Sequence, residues 1–241
     1  MDVKGRVAVV TGGGVRVGKA LALGLAAAGA DVFIHYGRSA GPAADTASDA
    51  EALGVRAAVG SVDLSVPQDA ARVIDLAEEA LGPVSLLVNS ASGFSEDTIE
   101  DVGFETWQQT LDLTLSAPVF LTKAFADRLP SLMSGAVVNV TDVRTTTPNL
   151  KHFSYIVAKG GIDAFTRAAA VGLAPRIRVN AVALGLVLPQ QDDRYAQRLA
   201  TTLPLAGVGG TGTVVDTVLF LLSNDFVTGE IVRVDGGGHL T

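Results

Sequence analysis

A chain of 241 residues with 48% hydrophobic and 18% charged residues is long enough to bury its own core and too apolar to be disordered. Its net charge of −7, with no Lys/Arg cluster, argues against nucleic acid or an anionic membrane surface as a partner. With no cysteine there are no disulfides, thiolate metal sites or thiol catalysis, and His35, His152 and His239 lie too far apart to show ligand spacing, so no metal site is expected.

Met1 to Val10 ends its short apolar run in Thr11-Gly12-Gly13-Gly14, which reads as a buried strand and a turn rather than a signal peptide. No apolar stretch approaches the roughly 18 residues of a membrane span, so a soluble, cytoplasmic protein is expected. The β-branched run Val7 to Val10 suits a strand covered on both faces. A helix is predicted over Val17 to Ala28, closed by Gly29, and a strand over Asp31 to Tyr36. Next come a helix from Pro42 to Leu53, a strand from Val55 to Val62, a helix from Pro67 to Leu81 and a strand from Val84 to Asn89. A long helix spans Phe104 to Leu129, a strand Ala136 to Thr141, a helix His152 to Leu173 and a strand Arg178 to Ala183. A helix over Val214 to Leu222 and a strand over Glu230 to Val234 close the chain.

Seven strands alternating with helices predict a single α/β domain over residues 1–241, a Rossmann-type doubly wound parallel sheet with helices on both faces. Residues 184–212 form the longest stretch without clear periodicity, apart from a short helix over Asp192 to Thr201. They follow a strand's carboxyl end, where such sheets bind ligands, and read as a substrate-covering loop.

The glycine turn lies between the first strand and the first helix, where free N–H groups and the helix dipole favour a phosphate. Gly12, Val17 and Gly18 are expected to cradle a pyrophosphate. Arg16 stands where a dinucleotide fold often has glycine, beside the phosphates and within reach of a substrate edge. The second strand ends His35-Tyr36-Gly37-Arg38-Ser39 without the acid that would hold the ribose hydroxyls of NAD; Arg38 and Ser39 suit a 2′-phosphate, so NADPH is the expected cofactor. On a helix, Tyr155 and Lys159 share a face, which would let the ammonium lower the phenol's pKa and make Tyr155 a usable proton donor. Of the three tyrosines only Tyr155 has a lysine at this offset.

With these residues placed, the whole chain resembles the short-chain dehydrogenase/reductase family. The resemblance rests on the Thr-Gly turn, Asp63-Leu64, Asn89-Ser90-Ala91-Ser92, Tyr155/Lys159 and Val234-Asp235-Gly236-Gly237. It implies that Asp63 and Leu64 contact the adenine, that Asn89, Ser90, Ala91 and Ser92 flank it, and that Lys159 also holds the nicotinamide ribose. Leu184-Gly185 replaces a common Pro-Gly in the cofactor site, with little expected effect. Three departures, Arg16, Ser92 followed by Phe94, and Asp142 in place of a serine thirteen residues before Tyr155, resemble the pteridine reductase and dihydromonapterin/dihydrofolate reductase branch. That resemblance implies a pterin stacked on Phe94, with Arg16 and Ser92 bonding its edge. Thr114 occupies the position of an asparagine that binds a relay water in many members.

An ionised carboxylate would repel a ketone oxygen but suits a ring whose nitrogens need protons. The expectation is hydride transfer to a C=N bond, with Tyr155 delivering the proton, Lys159 assisting and Asp142 holding Tyr155 or feeding it protons. A 3-oxoacyl-thioester or other carbonyl reductase is the alternative, and a non-catalytic NADPH-binding regulator a third reading; Asp142 also reads as a simple cap. Trp107, Phe120, Phe125 and Phe165 read as packing residues of the two long helices, which the resemblance pairs with a second subunit, within a tetramer.

Overall fold

The computed structural model describes residues 1–188 and 194–240. Its centre is a seven-stranded sheet in which every neighbouring pair is parallel. The strands are β1 (Val7–Thr11), β2 (Asp31–Tyr36), β3 (Ala57–Ser61), β4 (Val84–Asn89), β5 (Gly135–Asp142), β6 (Ile177–Leu184) and β7 (Ile231–Val234), in the order β3-β2-β1-β4-β5-β6-β7. The chain runs outward from β1 to β3 and then returns to place β4 on the other side of β1. That reversal opens a crevice at the carboxyl ends of β1 and β4.

Side chains alternate across each strand, and here both faces are covered, which is why the strands read as uninterrupted apolar runs. Ala8 and Val10 of β1 join a core with Leu21 and Leu25 of α1 (Arg16–Ala27), Ala43 and Ala50 of α2 (Ala40–Glu51), and Val218 and Leu221 of a helix near the carboxyl terminus (Gly210–Ser223). Val7 and Val9 point the other way. They meet Val73, Ile74 and Ala77 of α3 (Ala71–Leu81) and a helix over Ala117–Arg128 that supplies Leu121 and Phe125.

The predicted long helix over Phe104 to Leu129 is three pieces: α4 (Phe104–Leu111), a π segment (Asp112–Ser116) and α5 (Ala117–Arg128). Pro118 lacks the N–H that would bond the Thr114 carbonyl, and the Ala117 N–H reaches back to Asp112, so the turn widens around Thr114. Similarly, the Pro67 to Leu81 helix begins as a 3₁₀ turn, Pro67–Asp69, before α3. Helix α6 (Phe153–Leu173) starts directly after His152, which takes the left-handed conformation at φ 65°. In the expected loop region 184–212, α7 occupies Arg194–Thr202, while residues 189–193, including the predicted start at Asp192, lie outside the described residues. The last helix, α8 (Gly210–Ser223), begins four residues before its predicted start. Trp107 stacks on Phe153 with ring centroids 5.8 Å apart, joining α4 to α6, and Phe125 is buried. Phe120 is about half exposed. Among the described residues, no helix is long and apolar enough to cross a membrane.

Candidate active site

A cleft of about 1570 Å³ opens along the carboxyl ends of the strands. At one end the glycine turn is shaped by close packing: a Cβ on Gly18 would lie 2.1 Å from the Gly12 carbonyl oxygen, and one on Gly12 would lie 3.1 Å from Ala91 Cα. Thr11 supports the turn from beneath, its hydroxyl accepting the Ser90 and Ala91 N–H groups at 2.9 and 3.0 Å. Arg16 holds φ at 51°, the left-handed region a glycine would occupy freely. The turn therefore keeps its shape despite the arginine, whose guanidinium donates to the Leu188 carbonyl at 2.7 Å and closes over the end of β6.

His35 lies behind the turn. Gly12 N–H donates to its Nδ1 at 3.4 Å, so the ring proton sits on Nε2 and donates to the Val62 carbonyl at 2.9 Å. Burial lowers the pKa of His35, consistent with this neutral form. Arg38, Asp63 and Leu64 line the cleft at the ends of β2 and β3. The Ser65 hydroxyl and N–H hold Asp63 below the ordinary carboxylate range, with a further contribution from the charge of Arg38. Gly185 has no room for a side chain, because a Cβ there would meet that of Asp235 at 2.6 Å.

Gly12, Arg16, Val17, Gly18, His35, Arg38, Asp63, Leu64, Ser90, Ala91, Ser92, Tyr155, Lys159 and Gly185 thus come together along one cleft, joined by Phe94 and Asp142. Tyr36, Ser39 and Asn89 are not among its lining residues. Tyr36 packs on the core and Ser39 precedes α2. The Asn89 amide is buried under the sheet's end, donating to Asn139 at 2.8 Å and Thr122 at 3.3 Å. Asn139 in turn donates to Thr166 at 2.9 Å, a polar ladder that locks α5 and α6 to β4 and β5.

At the centre of the cleft the Tyr155 hydroxyl donates to Asp142 Oδ2 at 2.9 Å, while Asp142 Oδ1 accepts the Arg144 N–H at 2.9 Å. Asp142 is therefore both a cap, for the 3₁₀ turn Val143–Thr145, and the partner of the phenol. Lys159 is placed differently from the expected phenol-lowering contact. Its Nζ donates to the Val140 carbonyl at 2.6 Å and stands 5.6 Å from the Tyr155 ring centre. The Tyr155 pKa is consequently raised well above that of an ordinary phenol, first by burial and then by the charge and hydrogen bond of Asp142, rather than lowered. Burial brings Lys159 down to about 8 against the pull of Asp142 and Asp163.

Phe94, 56% exposed, sits beside this pair, with its ring 4.9 Å from that of Tyr155 in an edge-on arrangement. Two residues not anticipated from sequence frame it: His152 stacks on it at 3.9 Å, and the Arg144 guanidinium carbon lies 5.4 Å from its centre. The buried Thr114 hydroxyl contacts Ser92 Oγ at 3.3 Å and accepts Gly93 N–H at 3.4 Å. The widened π turn presents Thr114 to this loop. A histidine and serine three residues and one residue before Tyr155 were the available signal for the helix head, but nothing local marked what they would face.

Residues 6–199 match the sequence model of the short chain dehydrogenase family. A 3-oxoacyl-[acyl-carrier-protein] reductase from Synechocystis is 33% identical over 244 residues, covering 96% of this chain and 96% of that protein. The crystal structure of FolM alternative dihydrofolate reductase 1 from Brucella canis, complexed with NADP, superposes with a TM-score of 0.94 at 35% identity, covering 100% of this chain and 96% of that one. Its counterpart from Brucella suis, also in complex with NADP, gives 0.91 at 35% identity, covering 98% and 96%.

Proposed function

The chain belongs to the short chain dehydrogenase family, and from that premise we propose that it is an NADPH-dependent reductase, one domain over residues 1–241, acting on a C=N bond in the ring of a reduced pterin or folate. The dinucleotide fits the cleft: a turn in which Gly12 and Gly18 leave no room for side chains brings backbone N–H groups to a pyrophosphate at the head of α1. Arg38, with no acid in the ribose-binding position, suits a 2′-phosphate, and the NADP-bound FolM structures support the same choice. Asp63 and Leu64 would flank the adenine, and Lys159 the nicotinamide ribose. When bound, the reduced nicotinamide supplies the hydride.

The protein's own residues supply the proton and the alignment. Tyr155 stays a neutral phenol at working pH, because burial and the Asp142 carboxylate both oppose its ionisation. A neutral phenol can donate to a ring nitrogen as negative charge develops there, and Lys159, still charged near neutral pH, favours the phenolate left behind. Asp142 orients the hydroxyl and can accept an N–H from the ring. Phe94 offers a face for stacking, and Ser92 and Arg16 stand where the ring edge would be bonded.

One observation carries the substrate class: a carboxylate, not a hydroxyl, faces the proton donor at 2.9 Å. It favours nitrogen over a ketone oxygen. The second reading, reduction of a 3-oxoacyl thioester, is favoured by the Synechocystis relative. NADPH oxidation measured with dihydrobiopterin, dihydromonapterin, dihydrofolate and an acetoacetyl thioester separates them; turnover of the thioester alone rejects the pterin reading. In keeping with its family, the protein is expected to act as a homo-oligomer in the cytoplasm, with a tetramer as the expected assembly.

A further inference from the structure

The loop that carries Phe94 has no regular secondary structure, yet its ring stands edge-on to the proton donor at a definite 4.9 Å. Something other than a backbone ladder must hold it. Asp97, almost fully buried, turns its carboxylate onto the head of α6: Oδ1 accepts the Ser154 N–H at 3.2 Å and Oδ2 accepts the Ser154 hydroxyl. The Asp97 carbonyl accepts the Phe153 N–H at 3.1 Å, and the Ser95 carbonyl accepts Nδ1–H of His152 at 2.6 Å. Within the loop, the Ser95 hydroxyl donates to Asp97 Oδ1 at 3.1 Å.

Helix α6 has no side-chain cap of its own, so a residue 57 positions away satisfies its first N–H groups. The next residue along the helix is Tyr155. His152, forced to φ 65° at the helix entrance, lays its ring on Phe94 at 3.9 Å. One carboxylate therefore connects the stacking ring to the turn that carries the proton donor.

We propose that Asp97 is a positioning residue that sets the distance between Phe94 and Tyr155 by pinning loop 92–97 to the first turn of α6, with His152 fixing the tilt of the Phe94 ring. The proposal rests on the reading that a planar substrate ring seats on Phe94. A ring seated there meets the Tyr155 hydroxyl at a spacing set by Asp97, and misplacement on the order of 1 Å lowers turnover about 100-fold.

A double-mutant cycle separates positioning from simple helix capping. Asp97→Ala, Asp97→Asn and Ser154→Ala are made in the wild type and in Phe94→Ala, and kcat, KM and the Kd for NADPH are measured. Asp97→Ala is expected to lower kcat/KM for a dihydropterin about 10- to 100-fold, with NADPH affinity within about twofold; Asp97→Asn, which keeps one acceptor, recovers part of the loss. In the Phe94→Ala background the further loss is expected to be no more than about threefold, since the ring being positioned is gone. Equal losses in both backgrounds overturn the proposal, as does a loss confined to NADPH binding. Ser154→Ala keeps the cycle decisive if Asp97→Ala fails to fold. If the wild type reduces only the acetoacetyl thioester, the pterin reading fails and the proposal falls with it, whereas equal losses in an enzyme that does reduce a dihydropterin overturn the proposal alone.

Discussion

Asp142 divides its two oxygens between two tasks: Oδ1 caps a turn and Oδ2 receives the Tyr155 hydroxyl. The sequence left cap and proton partner as competing readings, and the structure satisfies both because the strand ends where the carboxylate can face two ways. The phenol itself behaves opposite to the expectation drawn from its helical lysine neighbour. Burial and a nearby carboxylate both disfavour phenolate, and the lysine ammonium is directed to a backbone carbonyl. Tyr155 is thus held as a neutral phenol, the form the proposed reduction would use. Tyr155→Phe removes only that hydroxyl and is expected to lower kcat by about 100-fold or more, while the Kd for NADPH, read by fluorescence titration, changes less than about twofold. Unchanged turnover would reject the role.

Among the elements, the β1–α1 turn has the least tolerance. A methyl group on Gly18 would need to occupy the space of the Gly12 carbonyl, 2.1 Å away, and backbone on both sides leaves nothing flexible to move. Saturating NADPH at roughly 100 times its Kd should stabilise the wild type by about 2.7 kcal/mol, a rise in Tm on the order of 5–10 °C for a chain of this size. Gly18→Ala is expected to abolish that rise in a thermal-shift assay, and a variant retaining it would show the turn is not the phosphate site. The interrupted long helix belongs to the same scale. Its periodic pattern reads as one helix, but Pro118 removes a donor and Thr114 swings toward the Ser92–Gly93 loop. The hydrophobic period carries no trace of a π turn, since the apolar face continues through it.

For the whole molecule, the buried ammonium of Lys159 is a cost carried by the fold. Its pKa falls from 10.5 to about 8, so the unfolded chain binds more protons between these values and stability rises with pH across that window. Below about pH 8 the penalty is fully present, on the order of 3 kcal/mol before the hydrogen bond to Val140 is counted. In urea unfolding without cofactor, Lys159→Met should be more stable than the wild type at pH 7, with the difference shrinking toward pH 10. A difference independent of pH would reject this account.

The sequence by itself determined the layered α/β architecture and the helix that carries Tyr155 and Lys159. Apolar runs such as Asp31 to Tyr36 and Val84 to Asn89, with their flanking turn residues, carry their own boundaries, and Tyr155 and Lys159 are brought to one side of the helix by its pitch. Only the tertiary structure decided what those residues face. Asp97 and Ser154, Thr114 and Ser92, and Tyr155 and Asp142 meet across separations of 57, 22 and 13 residues, where no local period links the partners. Helix and strand patterns report burial along a chain, but a carboxylate chooses its donor by where distant backbone brings it, and so the chemistry of Asp142 and the capping of α6 by Asp97 belong to the fold.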